Sequence, residues 1–154
     1  AKEIANLISQ KYKSVDIIAG VATGAIGIGL LVAEKLELPF IYVRPESKGH
    51  GRKNQIEGCV EKNKKVFVVE DLISTANSSI KAIQALKNEG VKVLGMCSIF
   101  TYELTIGKDN LKTEKIDFFS LSNYSTLIKV AKELNYINDK EINILAKWNP
   151  STKI

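Results

Sequence analysis

Two adjacent acids, Glu70 and Asp71, stand directly after the apolar run of residues 66–69. The residues that follow them are Leu72, Ile73, Ser74, Thr75, Ala76, Asn77 and Ser78. Small and hydroxylated residues at the start of a helix let backbone N–H groups and hydroxyls surround a phosphate, which the helix dipole also favours. Neighbouring carboxylates accept hydrogen bonds from a vicinal diol and stabilise positive charge on a sugar ring. The pattern indicates a site for a phosphorylated ribose; alternatively, Ser74 or Thr75 only caps a helix and the acids only solvate a sheet edge.

A second cluster of charge lies in the glycine-punctuated stretch of residues 42–58. Its basic residues are Arg44, Lys48, His50, Arg52 and Lys53. A loop of this composition can close over a pyrophosphate and neutralise the charge that develops as it leaves. The alternative is a basic loop that is only solvated. His50 is the only histidine, which excludes a metal site built on several histidines and a two-histidine mechanism.

A third candidate is the glycine-rich segment of residues 19–27, with the sequence AGVATGAIG. Its glycines lower the steric cost of bringing backbone amides close to a diphosphate. Alternatively, Gly27 and Gly29 serve the close packing of a helix on a sheet. The glycine spacing differs from the dinucleotide fingerprint, so a nicotinamide-binding domain is not expected.

The elements that must position these residues alternate between strand-length apolar runs and longer stretches of helical period. Strands are predicted over residues 16–19, 40–44, 65–70, 92–101 and 117–121. Helices are predicted over residues 2–12, 25–36, 78–88, 124–134 and 139–148, and long loops over 45–58 and 103–115. This order predicts an α/β domain with a central, mostly parallel sheet flanked by helices, in which the run at 66–69 is a central strand. In such sheets ligands bind beyond the carboxyl ends of the strands, where all three candidate segments fall.

The composition fits one soluble domain spanning residues 1–154, with 45% apolar residues and no linker or internal repeat. No segment has the length and apolarity of a membrane span or signal peptide, so we expect a cytoplasmic protein with no membrane partner. The net charge of +5 suits phosphorylated substrates. Nucleic acid is not an expected partner, because the lysines are dispersed and aromatic residues that would stack on bases are not interleaved with them.

Several segments resemble a known family. The stretch VFVVEDLISTANSS of residues 66–79 is similar to the phosphoribosyl pyrophosphate (PRPP) signature of type I phosphoribosyltransferases. Residues 42–58 resemble the catalytic loop of the orotate phosphoribosyltransferases, and residues 98–102 and 121–127 also resemble that family. The resemblance implies a Rossmann-like core and the transfer of phosphoribose from PRPP to orotate, which gives orotidine 5′-monophosphate and pyrophosphate.

The resemblance also assigns roles to individual residues. The implied catalytic residues are Lys48, His50 and Asp71. The residues implied to bind PRPP and pyrophosphate are Arg44, Lys48, His50, Glu70, Asp71, Leu72, Ile73, Ser74, Thr75, Ala76, Asn77 and Ser78. Mg²⁺ is the implied cofactor, held mainly through the substrate and not by a cage of protein ligands. The implied assembly is a homodimer in which the basic loop serves the partner's site.

This chain departs from the family pattern at a few positions. Ala76 and Asn77 replace loop glycines; Asn77 is the one that better tolerates a left-handed conformation. Pro45 stands where relatives often have lysine, and an arginine that some relatives place near Tyr102 is absent. The family's N-terminal hood, which supplies part of the orotate site, is expected to be missing before residue 1. Two other readings remain open: transfer to a different base, or a PRPP-sensing regulator without catalysis.

Overall fold

The computed structural model describes residues 1–46 and 55–149 as an α/β fold built on one six-stranded sheet. The strands are β1 (Ile17–Val21), β2 (Phe40–Val43), β3 (Ile56–Glu57), β4 (Lys65–Ile73), β5 (Lys92–Thr101) and β6 (Phe118–Asn123). The helices are α1 (Lys2–Lys11), α2 (Ala25–Leu36), α3 (Asn77–Asn88), α4 (Thr105–Thr113), α5 (Tyr124–Glu133) and α6 (Asp139–Trp148). None of these helices is long and apolar enough to span a membrane.

The sheet order is β3-β2-β1-β4-β5-β6, and every neighbouring pair is parallel except β2 with β3. The central position predicted for the run at 66–69 is confirmed, because β4 pairs with β1 on one side and β5 on the other. Side chains of this run are buried on both faces of the sheet, so an uninterrupted apolar sequence is what the position requires. The predicted fold class is therefore confirmed.

Alternate residues of β4 enter two separate cores. Phe67 and Val69 pack with Ile4, Ile8 and Val32, so α1 and α2 cover one face of the sheet. On the opposite face, residues of β4 pack with α3 and with a single large apolar residue from α4. That second core includes Val66, Val68, Ile73, Ala76, Ile83, Leu86 and Leu111.

Two elements were missed by the sequence-based prediction. The stretch 103–115, expected to be a loop, contains α4; only Gly107 and Leu111 of this helix are buried, so its apolar period is too sparse to read. The stretch 45–58 contains the two-residue strand β3, which is too short to have a pattern. The predicted strand over 65–70 also extends to Ile73, because β5 continues beside it as far as Thr101.

The last helix packs more loosely than its sequence suggests. Because Ile144 and Trp148 are apolar residues of a predicted helix, we expect both to be packing residues, but α6 has no buried residue and both side chains are more than half exposed. The Trp148 ring contacts Tyr102 and Tyr124, with centroids 5.7 and 5.3 Å away. The interpretation of Trp148 as a packing residue therefore holds only for one side of its ring, and for Ile144 it is wrong.

Two glycines of α2 provide a matched test of the packing between helix and sheet. A Cβ on Gly29 would lie 2.9 Å from the Phe40 ring and 3.1 Å from the Gly20 Cα, whereas a Cβ on Gly27 would meet no atom within 4 Å. We expect Gly29→Ala to lower the free energy of unfolding by about 1–3 kcal/mol through overpacking. Gly27→Ala is expected to raise it by about 0.5–1 kcal/mol, because alanine is the better helix former. Urea unfolding of both variants checks the difference, and equal effects would contradict it.

Candidate active site

Glu70 and Asp71 lie within β4 and not beyond it, because the strand continues to Ile73 in register with β5. Acids that directly follow a strand are expected to be accessible to solvent, and this expectation is wrong for Glu70, which is 5% exposed. Asp71 is only partly buried. The pair therefore consists of one buried carboxyl and one that a ligand can reach.

Hydrogen bonds from two neighbours hold the buried carboxyl of Glu70. Its Oε2 accepts a hydrogen bond from the Ser79 hydroxyl at 2.7 Å, and its Oε1 accepts one from the Asp71 N–H at 3.0 Å. Burial is the main cause that raises the pKa of Glu70 to about 8. At neutral pH this side chain is therefore mostly protonated. Ser79, which sequence reasoning did not single out, lies on the first turn of α3, and nothing in its spacing from Glu70 signals the contact.

Asp71 lies against the glycine-rich turn that follows β1. Its Oδ1 accepts a hydrogen bond from the Leu72 N–H at 2.7 Å, while a Cβ added to Gly24 would fall 1.9 Å from its Oδ2. Only glycine at position 24 leaves room for this carboxylate. The structure thus brings together two of the three candidate segments at the carboxyl ends of β1 and β4.

The start of α3 is open to a ligand. The helix begins at Asn77, its N-cap position is Ala76, and no side chain caps it, so the alternative in which Ser74 or Thr75 serves only as a cap is wrong. The backbone of Ala76 is left-handed, with φ of 64°, so the strained position falls on Ala76 and not on Asn77. Uncapped N–H groups at a helix start form an anion-binding site.

The other predicted residues of this segment differ in what they offer a ligand. Leu72 is 41% exposed, whereas the Ile73 side chain is in the core at 2% exposure. Ile73 can therefore contribute only its backbone to a site. Ser74 and Ser78 are exposed, beside the uncapped helix start.

The basic loop is closed at its base by the β2–β3 hairpin. The Arg44 N–H donates to the Gln55 carbonyl at 2.8 Å, and the Gln55 side chain donates to the carbonyls of Arg44 and Pro45. The Arg44 Nε lies 3.7 Å from the Glu57 carboxylate. The predicted residues between these anchors, Lys48, His50, Arg52 and Lys53, lie outside the described residues.

The aromatic residues at and after the end of β5 form a packed group. Phe100 and Tyr102 meet edge to face with ring centroids 5.4 Å apart, and Tyr102 also contacts Tyr124 and Trp148. Aromatic residues at a strand end either flank a base or belong to the core or a dimer interface, and for Phe100 and Tyr102 these contacts favour packing.

Glu70 makes the folding stability depend on pH. Its folded-state pKa is about 8 against an ordinary 4.5, so at pH values between these the folded state keeps a proton that the unfolded state has lost. Stability therefore falls as the pH rises through this interval. Glu70→Gln keeps the size but does not ionise; its amide oxygen can accept from the Asp71 N–H and its amide N–H can donate to the Ser79 hydroxyl oxygen. We therefore expect it to remove most of the loss. Urea unfolding of both proteins between about pH 5 and about pH 9 is the measurement, and parallel stability curves would contradict the shift.

The sequence and fold have close counterparts among known proteins. Residues 1–131 match the phosphoribosyl transferase domain family. The chain is 48% identical over 145 residues to the orotate phosphoribosyltransferase of Staphylococcus haemolyticus, covering 94% of this chain and 72% of that protein. It is 46% identical over 153 residues to the Bacillus cytotoxicus enzyme of the same name, covering 98% of this chain and 73% of that protein. The crystal structure of the Aeropyrum pernix orotate phosphoribosyltransferase matches with a TM-score of 0.72 and 27% identity, covering 89% of this chain and 77% of that chain. The chain belongs to the orotate phosphoribosyltransferase family of type I phosphoribosyltransferases.

Proposed function

We propose that this chain is an orotate phosphoribosyltransferase of pyrimidine biosynthesis, which transfers the 5-phosphoribosyl group from PRPP to orotate and releases pyrophosphate. The observation that carries the proposal is the meeting of Asp71, the Gly24 turn and the uncapped start of α3 at one edge of the sheet. Relatives that share 44–48% of the sequence bear the name of this activity, which favours orotate as the base.

The 5-phosphate of PRPP is assigned to residues 74–78. The uncapped N–H groups at the start of α3 and the exposed hydroxyls of Ser74 and Ser78 supply hydrogen-bond donors. The positive end of the helix dipole adds an attraction that a neutral ligand would not feel. The Ser79 hydroxyl takes no part in this contact, because it is bonded to Glu70.

The ribose is assigned to Asp71, the acid that a ligand can reach, with Glu70 as the residue that positions it. The partly exposed carboxylate of Asp71 accepts hydrogen bonds from the ribose hydroxyls and stabilises positive charge on the ring as the bond from the anomeric carbon to pyrophosphate breaks. The orotate ring nitrogen forms the new bond to that carbon and releases its proton to solvent, and pyrophosphate departs with the bonding electron pair. Glu70 holds the backbone N–H of Asp71 and so fixes its neighbour's position.

The departing pyrophosphate is assigned to the glycine-rich turn after β1 and to the basic loop. Gly24 places this turn against Asp71, so a diphosphate on the turn would adjoin a ribose on that carboxylate. Arg44, Lys48 and His50 supply the positive charge that stabilises the leaving group. Lys48 and His50 are catalytic in this proposal, together with Asp71.

Mg²⁺ is part of the proposed reaction. The partly exposed Asp71 carboxylate offers oxygen donors of the kind Mg²⁺ prefers. This donor set fits an ion held mainly through the oxygens of PRPP, with the Asp71 carboxylate as the nearby negative charge. When bound, the ion supplies neutralisation of the charge on pyrophosphate.

Two rival functions have different outcomes in one assay. Orotate consumption, followed by its ultraviolet absorbance in the presence of PRPP and Mg²⁺, supports the proposal if pyrophosphate appears in equal amount. Turnover with adenine or hypoxanthine in place of orotate would indicate a transferase for another base. Binding of PRPP with no pyrophosphate released from any base would indicate a regulator that senses PRPP.

Asp71→Asn tests the role of the reachable carboxylate. The amide loses the negative charge but keeps an oxygen that accepts from the Leu72 N–H, so thermal stability should change little. Activity with PRPP should fall on the order of a hundredfold or more, the range for loss of a transition-state contact. Asp109→Asn, an exposed change on α4, is the control and should leave activity unchanged. The assignment would be contradicted if Asp71→Asn lost stability while its folded fraction kept full activity.

We also propose a homodimer in which Lys48 and His50 serve the partner's site while Glu70, Asp71 and residues 74–78 serve their own. Inactive Lys48→Ala and Asp71→Asn homodimers, mixed at equal amounts with subunit exchange, should give about half mixed dimers. Each mixed dimer has one site with both lesions and one with neither, so about a quarter of all sites should regain activity. No recovery, with exchange confirmed separately, would mean that the loop acts within its own chain.

A further inference from the structure

Helix α4 lies directly against the proposed phosphate loop, residues 74–77. Gly107, Asn110 and Leu111 occupy positions i, i+3 and i+4 of this helix and therefore share one face. Leu111 is 4% exposed and belongs to the same core as Ile73, which precedes the loop, and Ala76, which lies within it. The helix is thus anchored beneath the loop that it touches.

The contacts between α4 and the loop involve backbone carbonyl groups. A Cβ on Gly107 would lie 2.2 Å from the Ser74 carbonyl oxygen, so the helix approaches that carbonyl as closely as glycine allows. The Asn110 Nδ2 donates to the Thr75 carbonyl at 2.9 Å and to the Asn77 Oδ1 at 3.2 Å. Asn110 is therefore hydrogen-bonded to both ends of the short segment that leads into α3.

Because the peptide unit is planar, these contacts also determine the direction in which the neighbouring N–H groups point. In a trans peptide, the C=O of one residue and the N–H of the next point in opposite directions. Because the carbonyls of Ser74 and Thr75 face α4, the N–H groups of Thr75 and Ala76 face away from it. Neither of these N–H groups donates to a backbone carbonyl within the described residues.

The loop does not adopt this conformation through its own preference. Ala76 is held at φ of 64°, a region that costs a non-glycine residue about 1–2 kcal/mol. A hydrogen bond contributes about 0.5–1.5 kcal/mol net, so the bond from Asn110 is comparable to this cost. The surroundings of the loop, and Asn110 among them, therefore set its shape.

We propose that Asn110 is a positioning residue for phosphate binding: by fixing the Thr75 carbonyl it aims the neighbouring N–H groups at the 5-phosphate. This inference rests on the proposed function, because it takes residues 74–78 as the site of that phosphate. Asn110 contacts the loop, and we do not propose a contact between Asn110 and the substrate.

Asn110→Leu and Asn110→Ala remove the donor, the first with little change in size and the second with a gain in helix propensity. We expect either change to weaken binding of PRPP and of ribose 5-phosphate to the same extent, about three- to tenfold, as loss of one hydrogen bond would. The KM for PRPP should rise by a similar factor, while kcat and the KM for orotate stay within about twofold of the wild type. Asn110→Gln, which keeps the carboxamide on a longer stem, should restore part of the affinity.

Gln84→Ala is the matched control. Gln84 reaches from α3 to the Glu114 side chain at the C-terminal end of α4, with 3.4 Å between Nε2 and Oε1, away from the phosphate loop. Its removal weakens the contact between the two helices without changing the loop, so both affinities should match the wild type. Thermal unfolding of every variant shows whether affinity and folding change together.

Three outcomes of this experiment would overturn the inference. Ribose 5-phosphate bound by the Asn110→Leu and Asn110→Ala variants as tightly as by the wild type would overturn the inference. Equal losses for Gln84→Ala and Asn110→Ala, or a loss that extends to kcat and to the KM for orotate, would overturn it in favour of general destabilisation. A wild-type protein that binds neither PRPP nor ribose 5-phosphate would overturn the proposed function itself, and the inference with it.

Discussion

The turn after β1 and the end of β4 must share a small volume, because the two strands are hydrogen-bonded neighbours from Ile17 opposite Val66 to Gly20 opposite Val69. Within two residues of that register β4 presents Asp71, whose carboxylate fills the space that a side chain on Gly24 would need. The sheet therefore sets the distance between the acid and the glycine-rich turn before any ligand arrives. Every assignment at this edge, from ribose to pyrophosphate, depends on that contact.

The two adjacent acids differ in burial and therefore in chemistry. The hydroxyl of Ser79 and the backbone N–H of Asp71 donate to Glu70, which is buried, and desolvation raises its pKa to about 8. Asp71 remains partly exposed at the same edge. A neutral carboxyl beside a reachable carboxylate places less negative charge near a substrate that carries two phosphorylated ends, which lowers the repulsion that a fully ionised pair would exert.

The fold was predictable from the sequence where the residues of an element themselves carry a clear pattern. The run at 66–69 could only be a strand buried on both faces, and the glycine- and leucine-rich residues 25–36 form α2 with the predicted bounds. The features that escaped prediction depend on distant partners. β4 reaches Ile73 because β5 continues alongside it, and α4 forms around Leu111 because a core on another strand accepts that one side chain. The left-handed backbone at Ala76 is likewise set by neighbouring residues. Residue preference alone favoured Asn77 for this conformation, because it takes no account of those neighbours.

The anchoring of α4 through Leu111 couples packing in the core to the conformation of the phosphate loop. Since Leu111, Ile73 and Ala76 belong to one packed core, the free energy of seating the helix and the free energy of shaping the loop are shared. Coupling of this kind is reciprocal: a ligand that favours the ordered loop must favour the seated helix by the same amount. A cavity opened in that core at Leu111 would therefore reduce substrate affinity without altering a group that touches the substrate.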